Sequence, residues 1–178
     1  YLESGIWPRA QIMMPMVGFI SEMVQLRKNV QTILDERTVK DVPIGMMIEL
    51  PRTCVVAEEM TQAADFFSFG TNDLTQTTLG FSRDDAENAF MGKYTEDGIL
   101  VSNPFETLDV SGVGKLINMA VDSVESSGHH MSFGACCENG GDPASIEFFH
   151  AAGLDYVSCS PFRIPIARLA AAQAALSV

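Results

Sequence analysis

The chain contains 178 residues and has a formal net charge of −12, from 11 Lys and Arg against 23 Asp and Glu. A charge this acidic argues against nucleic acid or an anionic membrane surface as a partner. Hydrophobic residues make up 47% of the chain, which is enough to fill a core. The longest apolar stretch, residues 12–20, is interrupted by Pro15 and Gly18 and is shorter than the roughly 20 residues of a membrane helix. These features predict a folded domain without a transmembrane span.

The chain ends and the cysteines indicate the cellular context. The chain begins at Tyr1 without a secretory signal, so we interpret its N-terminus as cut from a longer protein and its C-terminus as a natural end. The four cysteines lack CxxC spacing, and a disulfide between the adjacent Cys136 and Cys137 would be strained. We therefore expect thiols in a reducing compartment, the cytoplasm or an organelle. A zinc site with the histidines is disfavoured because no metal-finger spacing is present.

Short apolar runs alternate with amphipathic stretches along the chain. The apolar runs have the length of buried strands and lie at residues 11–17, 44–50, 66–70, 131–135 and 156–159. Helical spacing of apolar residues occurs at residues 21–34, 56–63, 113–128, 142–153 and from residue 164 onward. We expect Ser21 to cap the first of these helices, and Asp142-Pro143 to begin one that stops at Gly153. Residues 71–108 are predicted to form a long polar connection, which is typical of functional loops.

This alternation predicts parallel strands covered by helices on both faces, as in a doubly wound sheet or a (β/α)8 barrel. Polar residues follow the C-terminal ends of several strands and do not collect at one switch point, which favours the barrel. A whole barrel needs about 250 residues. We therefore predict an α/β fold, a partial (β/α)8 TIM barrel comprising about the last five βα units, with residues 1–178 forming the C-terminal portion of a barrel domain.

Two carboxylates follow neighbouring predicted strands. Glu49 ends the second strand and Asp73 follows the third, so both should lie at the same edge of the sheet. One or two carboxylates, completed by water and substrate oxygens, suit Mg²⁺, although helix capping or solvent exposure explains such residues better by spacing alone. Between them, Gly70-Thr71-Asn72 directly follow a strand, where a glycine lets the backbone approach a ligand and successive N–H groups can hold anionic oxygens.

A thiol and two arginines complete the candidates. Cys136 ends the fourth predicted strand, and a thiol with a pKa near 8.5 can exchange a proton near neutrality, although many cysteines are merely small buried residues. Adjacent residues of an extended strand point to opposite sides, so we expect only one of Cys136 and Cys137 to face the site. Arg52 and Arg83 can either meet a phosphate or pair with acids, and the two aspartates that follow Arg83 favour pairing there.

Several segments carry a resemblance to a known family. Residues 12–15 (IMMP), 45–52 (GMMIELPR) and 66–76 (FFSFGTNDLTQ) resemble the C-terminal, phosphoenolpyruvate/pyruvate-binding domain of the phosphoenolpyruvate-utilising enzymes. Residues 80–85 (GFSRDD) and 153–173 (GLDYVSCSPFRIPIARLAAAQ) resemble the dikinase branch of that family more closely than its other members. The resemblance covers essentially the whole chain, and these motifs are specific.

The resemblance implies a phosphoenolpyruvate/pyruvate site at the barrel rim. The positions that it assigns to substrate contacts are Glu49, Gly70, Thr71, Asn72, Asp73 and Arg83. Among these it implies that Glu49 and Asp73 hold Mg²⁺. Cys136 would be the acid/base, which protonates the methylene carbon of the pyruvate enolate as the phosphoryl group passes from phosphoenolpyruvate to a histidine.

The resemblance also implies partners and shows two departures. The phosphoryl-accepting histidine lies on a separate phosphohistidine domain of the parent chain, the ATP site lies on a third domain, and the full-length enzyme is expected to be a homodimer. The family commonly has Gly and His where this chain has Cys137 and Asn139. Two substrate-binding arginines of the family belong to earlier strands, outside this chain, so we expect the isolated chain to be inactive.

Two other interpretations remain open. One is a fragment of a phosphoenolpyruvate synthase, whose barrel is similar but which does not use inorganic phosphate. The other is a remnant or excised module without catalysis that binds Mg²⁺ or pyruvate weakly or only packs against another chain. In either case an open sheet leaves the edge of its first strand unpaired, which predicts an isolated chain of marginal stability that tends to associate.

Overall fold

The computed structural model describes residues 9–176, and the interpretations of the two chain ends therefore lie outside the described residues. One sheet of five parallel strands forms its centre, with β1 (Ile12–Met14), β2 (Ile44–Ile48), β3 (Phe67–Phe69), β4 (Phe133–Ala135) and β5 (Tyr156–Val157). The strands lie side by side in chain order, and each pairs in parallel with the next. Strands that neighbour in sequence and in space, joined by helices, form a sector of a (β/α)8 barrel, so the predicted fold class is confirmed.

Helices follow each strand of this sheet. In the described part of the chain they are α1 (Ile20–Glu36), α2 (Pro51–Val55), α3 (Ala57–Met60), α4 (Thr71–Leu79), α5 (Arg83–Ala89), α6 (Met91–Glu96), α7 (Val113–Ser126), α8 (Pro143–Ala151) and α9 (Ile164–Leu176). Short 3₁₀ turns cover Glu138–Gly141 and Pro161–Arg163. No helix of this part of the molecule has the length and apolar character needed to cross a membrane.

The main core lies between the sheet and the helices that cover it. The strand side chains Ile44, Met46, Ile48, Phe67 and Phe69 are completely buried there. Ile117 and Val124 of α7 and Met23 of α1 pack into the same cluster. The strands are shorter than the predicted runs because an apolar run reports burial, whereas a strand ends where the backbone stops pairing with its neighbour. Within the described residues β1 and β5 each pair on one side only, so the predicted instability of the isolated sheet stays a prediction.

Two helix boundaries test the capping predictions. Asp142 caps α8 as predicted, with its carboxylate accepting the Ser145 amide at 2.9 Å. The prediction that Ser21 caps α1 was wrong, because α1 begins at Ile20. The Glu22 carboxylate instead accepts the amides of Gly18 and Phe19 at 2.8 and 3.0 Å. These bonds satisfy donors that the helix start would otherwise leave free, so the chain needs no hydroxyl cap.

Residues 71–108 do not form the predicted long connection, since α4, α5 and α6 occupy much of the segment. A small cluster separate from the main core explains these helices. Ala86 of α5, Met91 of α6 and Phe105 are buried together, and neighbouring aromatic rings pack around them. The apolar residues of this cluster are too few and too scattered in sequence to produce a clear helical period, which is why the pattern predicted a loop.

Candidate active site

The C-terminal ends of β2, β3 and β4 form the rim that carries the predicted residues. Ile48 pairs with Phe69, and Phe69 pairs with Ala135, so the three strands end in register. The residues that come next in the chain are Glu49, Gly70 and Cys136. The parallel sheet therefore brings residues that are far apart in sequence to one edge.

Glu49 is the most buried acid at this rim, with only 2% of its surface exposed. Its Oε1 accepts the backbone amide of Met16 at 2.5 Å. Burial raises the pKa of Glu49, the Met16 amide partly opposes this, and the nearby Asp73, whose carboxyl group hydrogen-bonds to it, raises the pKa further. The structure thus brings the two carboxyl groups together as the spacing predicted, while their binding of Mg²⁺ stays a prediction.

Gly70 makes the close approach of these groups possible. A Cβ atom at this position would overlap Oε2 of Glu49 and would lie 2.7 Å from the sulfur of Met47. Its φ of −83° is open to any residue, so the requirement for glycine is one of space. We predicted that this glycine lets the backbone approach a ligand, and in the structure the group that it admits is the Glu49 carboxyl group.

Thr71, Asn72 and Asp73 form the first turn of α4, where backbone amides that lack an acceptor within the helix favour anionic groups. The Thr71 hydroxyl donates to the carbonyl oxygen of Cys136 at 3.1 Å and so ties α4 to the end of β4. The Asn72 side-chain amide donates to Glu138 at 2.9 Å, whereas its Oδ1 atom is buried without a hydrogen-bond partner. A buried acceptor with no donor is suited to a ligand that brings positive charge or a proton.

Glu138 joins the predicted Arg83 to this turn and was not among the predicted site residues. Its Oε1 atom lies 3.0 Å from Nη1 of Arg83, and its other oxygen accepts the Asn72 amide. Partial burial opposes ionisation, but the hydrogen bonds from Asn72 and Arg83 outweigh it and lower the pKa of Glu138. Arg83 also pairs with Glu87 at 3.3 Å, so it forms the predicted ion pairing, but its partners are Glu87 and Glu138 and not the two aspartates that follow it. The one available signal for Glu138 was its position two residues after Cys136.

Arg52, the second predicted basic residue, holds the loop between β1 and α1. Its guanidinium donates to the Gly18 carbonyl oxygen at 2.5 Å and lies 4.3 Å from the centre of the Phe19 ring. The same loop supplies the Met16 amide that binds Glu49. Arg52 therefore supports the position of the buried carboxylate indirectly.

Cys136 and Cys137 are in contact. Their Sγ atoms lie 3.5 Å apart, and the Cys136 thiol is 3.4 Å from the carbonyl oxygen of Phe69, to which it can donate. We expected adjacent side chains to point to opposite sides, and this was wrong because Cys137 is not extended. Its φ of 73° and ψ of −164° fall in a region that is essentially restricted to glycine. The turn at this residue swings its thiol beside that of its neighbour.

The contact between the two thiols shifts their pKa values in opposite directions. The hydrogen bond with Cys137, together with burial, raises the pKa of Cys136. The same hydrogen bond lowers the pKa of Cys137 against the opposing effect of burial, and a hydrogen bond from the backbone amide of Asn72 lowers it further. Cys137 therefore ionises first, and Cys136 retains its proton.

The carboxyl groups of Glu49 and Asp73 are the candidate ligands for a metal ion. Across residues 9–176 no group of three or more His, Cys, Asp and Glu side chains is arranged to hold a metal ion. Mg²⁺, however, commonly takes one or two protein carboxylates and completes its shell with water and substrate. Glu49 and Asp73, which share a hydrogen bond, supply two carboxyl groups that fit this requirement.

Comparison with known families places this rim in context. Residues 2–176 match the family described as PEP-utilising enzyme, PEP-binding domain. The chain belongs to this family. The match extends over nearly the whole chain and confirms the resemblance that the rim motifs indicated.

Curated relatives of the chain are named pyruvate, phosphate dikinase. The protein from Rhizobium meliloti is 49% identical over 98% of this chain, and that from Clostridium symbiosum is also 49% identical over 98%. The chloroplastic protein from Mesembryanthemum crystallinum is 51% identical over 96%. This chain spans only 20%, 20% and 18% of these three relatives, respectively.

Solved structures with low sequence identity share the fold. A citrate lyase from Burkholderia xenovorans superposes with a TM-score of 0.61 at 13% identity, covering 91% of this chain and 48% of that protein. A citrate synthase superposes with a TM-score of 0.52 at 17% identity, covering 99% of this chain and 64% of that one. At such identities the likeness concerns the fold alone.

Proposed function

We propose that this chain supplies the Mg²⁺-dependent phosphoenolpyruvate/pyruvate half-reaction of a pyruvate, phosphate dikinase. In this proposal it works as part of a longer, homodimeric enzyme of the cytoplasm or an organelle, whose phosphohistidine domain exchanges the phosphoryl group with phosphoenolpyruvate. The observation that carries the proposal is the meeting of Glu49, Asp73 and Cys136 at one rim, in a chain about half identical to proteins of that name. These residues are brought together by three strands that end in register.

The carboxyl groups of Glu49 and Asp73 are the groups that would hold Mg²⁺, and the bound ion would stabilise the negative charge of the enolate oxygen. Glu49 is held in place by the Met16 amide and by the space that Gly70 leaves. For the backbone amides of Thr71 and Asn72 at the start of α4 to orient the anionic groups of the substrate, their bonds to Cys136 and Cys137 must give way.

Cys136 is the proposed acid. When the phosphoryl group leaves phosphoenolpyruvate, the Cys136 S–H bond breaks and its proton goes to the methylene carbon, which leaves a thiolate and the methyl group of pyruvate. In the reverse direction the thiolate removes a methyl proton. The resting thiol is protonated, as the acid role requires, while its raised pKa makes proton donation harder than from an ordinary thiol.

Arg83 is the proposed contact for phosphate. Glu138 holds its guanidinium beside Asn72, at 3.0 Å from the carboxylate. For Arg83 to bind phosphate, at least one of its bonds to Glu138 and Glu87 must give way. This is feasible because all three side chains are partly exposed.

The experiment uses a chimera in which this chain replaces the matching segment of the Rhizobium meliloti relative. Exchange of the pyruvate methyl protons with deuterium, followed by NMR in the presence of Mg²⁺, reports proton transfer directly. We expect Cys136→Ala to lower the exchange rate by about 100-fold or more. Cys137→Gly should leave exchange largely intact, and Cys159→Ser is the matched control for removal of a nearby thiol.

The metal role is tested separately by calorimetric titration of the chain with Mg²⁺. Asp73→Ala and Glu49→Gln should each weaken binding, because each removes a negative oxygen ligand. Unchanged Mg²⁺ affinity in both variants would refute the metal assignment. Mg²⁺ binding without any proton exchange in the chimera would favour the module without catalysis.

A further inference from the structure

The pair of adjacent thiols has a geometry that proton transfer does not require. A single thiol is sufficient to protonate a carbon atom, yet Cys137 places a second sulfur 3.5 Å from that of Cys136. To do so it adopts a backbone conformation that side chains other than glycine rarely take, at φ 73° and ψ −164°. The two sulfur atoms need move only about 1.5 Å closer to reach the S–S bond length of about 2.05 Å.

We propose that Cys136 and Cys137 form a peroxide-reactive dithiol that closes reversibly into a disulfide between adjacent residues. The consequence for catalysis rests on the proposed function, in which Cys136 is the acid. A Cys136 sulfur bound to Cys137 has no proton to donate, so closure would stop enolate protonation and reduction would restore it.

The reaction balances with a peroxide as the oxidant. Cys137 loses its proton, and its thiolate attacks one oxygen of hydrogen peroxide. The O–O bond breaks, a sulfenic acid forms, and the departing hydroxide takes up a proton to become water. The Cys136 sulfur then attacks the Cys137 sulfur, the S–O bond breaks, and a second water leaves with the Cys136 proton. Two thiol sulfurs are oxidised by two electrons in total, and the two peroxide oxygens are reduced.

Access distinguishes this pair from the buried Cys54. Cys137 borders an open cavity of about 430 Å³, whose other lining residues are Glu138, Ser158, Cys159, Ser160 and Arg163. The residues Cys136 and Cys137 are partly exposed, as is Cys159, whereas Cys54 is completely buried. Cys159 lies on the same cavity, so it is the natural competitor for a bond with Cys137 and the appropriate control position.

Reversibility follows from the covalent geometry of neighbouring residues. Consecutive Cα atoms across a trans peptide are about 3.8 Å apart, whereas disulfides usually join Cα atoms about 4.4–6.8 Å apart. The closed ring is therefore strained, and strained disulfides have reduction potentials high enough to be opened by cellular thiols. This property suits a reversible modification and not a structural bond.

The test is made on the chain itself, by treatment with a small molar excess of hydrogen peroxide followed by mass spectrometry. We expect the mass to fall by two hydrogens, a peptide containing both Cys136 and Cys137 to carry the loss, and glutathione to restore the original mass. Cys159→Ser should behave in the same way. Cys137→Ser should show no loss of hydrogens, because its remaining thiol lacks an adjacent partner, and circular dichroism checks that each variant is folded.

Other outcomes overturn the proposal. These are a gain of oxygen without loss of hydrogen, a bond between Cys137 and Cys159, or a disulfide that glutathione cannot open. Proton exchange in the chimera separates this proposal from the proposed function. If the disulfide forms and exchange continues, the role of Cys136 as the acid is refuted and the dithiol stands. If peroxide stops exchange without forming the disulfide, the dithiol is refuted.

Discussion

Replacing Cys137 by glycine should stabilise the protein, although it removes a side chain. The φ of 73° and ψ of −164° at this residue lie in a region that costs a non-glycine residue about 1–3 kcal/mol. Glycine relieves that cost but adds freedom to the unfolded chain, which offsets about 0.5–1 kcal/mol. The expected net gain is about 1 kcal/mol in the free energy of unfolding.

Urea unfolding followed by circular dichroism measures this change, and thermal unfolding provides an independent check. For a chain of this size, about 1 kcal/mol corresponds to a rise of about 2–4 °C in Tm. The matched control is Cys137→Ala, which removes the same sulfur but keeps the Cβ atom and therefore the backbone strain. We expect the alanine variant to be no more stable than the parent. Equal stability of the glycine and alanine variants would refute the argument, because it would mean that the backbone stores no strain at this position.

Two further predictions concern the rim and the core. Gly70→Ala should destabilise the fold by about 1–3 kcal/mol and weaken Mg²⁺ binding in calorimetry, because the new Cβ displaces the Glu49 carboxylate. Gly92→Ala, which lies in α6 and meets no atom within 4 Å, is the control; it should leave Mg²⁺ binding unchanged and should not destabilise the fold, because alanine favours a helix by about 0.5–1 kcal/mol over glycine. Burial raises the pKa of Cys54 from 9.0 to about 12, so the folded thiol should resist iodoacetamide at mildly alkaline pH until urea unfolds the chain. Because the unfolded thiol ionises near pH 9 and the folded one does not, stability should fall as the pH rises from 9 towards 12, and this slope should be smaller in Cys54→Ala.

Local sequence patterns predicted some contacts of the candidate site and missed others. The prediction that Glu49 and Asp73 lie together needed only the assumption that consecutive strands are parallel neighbours, because the carboxyl ends of such strands share one edge. The role of Glu138 could not be predicted in this way. Its bonds to Arg83 and Asn72 depend on α5 lying beside the turn after β4, and no periodicity in the sequence encodes that distance.

The class of the fold, the order of the strands and the edge at which the polar residues collect could be predicted from the chain alone. Those properties follow from apolar runs and turn residues that act over a few positions of the chain. The helices within residues 71–108 could not be predicted in this way, because a small cluster around Phe105, formed only in the folded protein, stabilises them. The contact between the thiols of Cys136 and Cys137 also appears only in the folded chain, because the packing of the turn holds Cys137 at a positive φ that its residue type disfavours. Contacts between distant segments, which the chain pattern does not specify, determine both features.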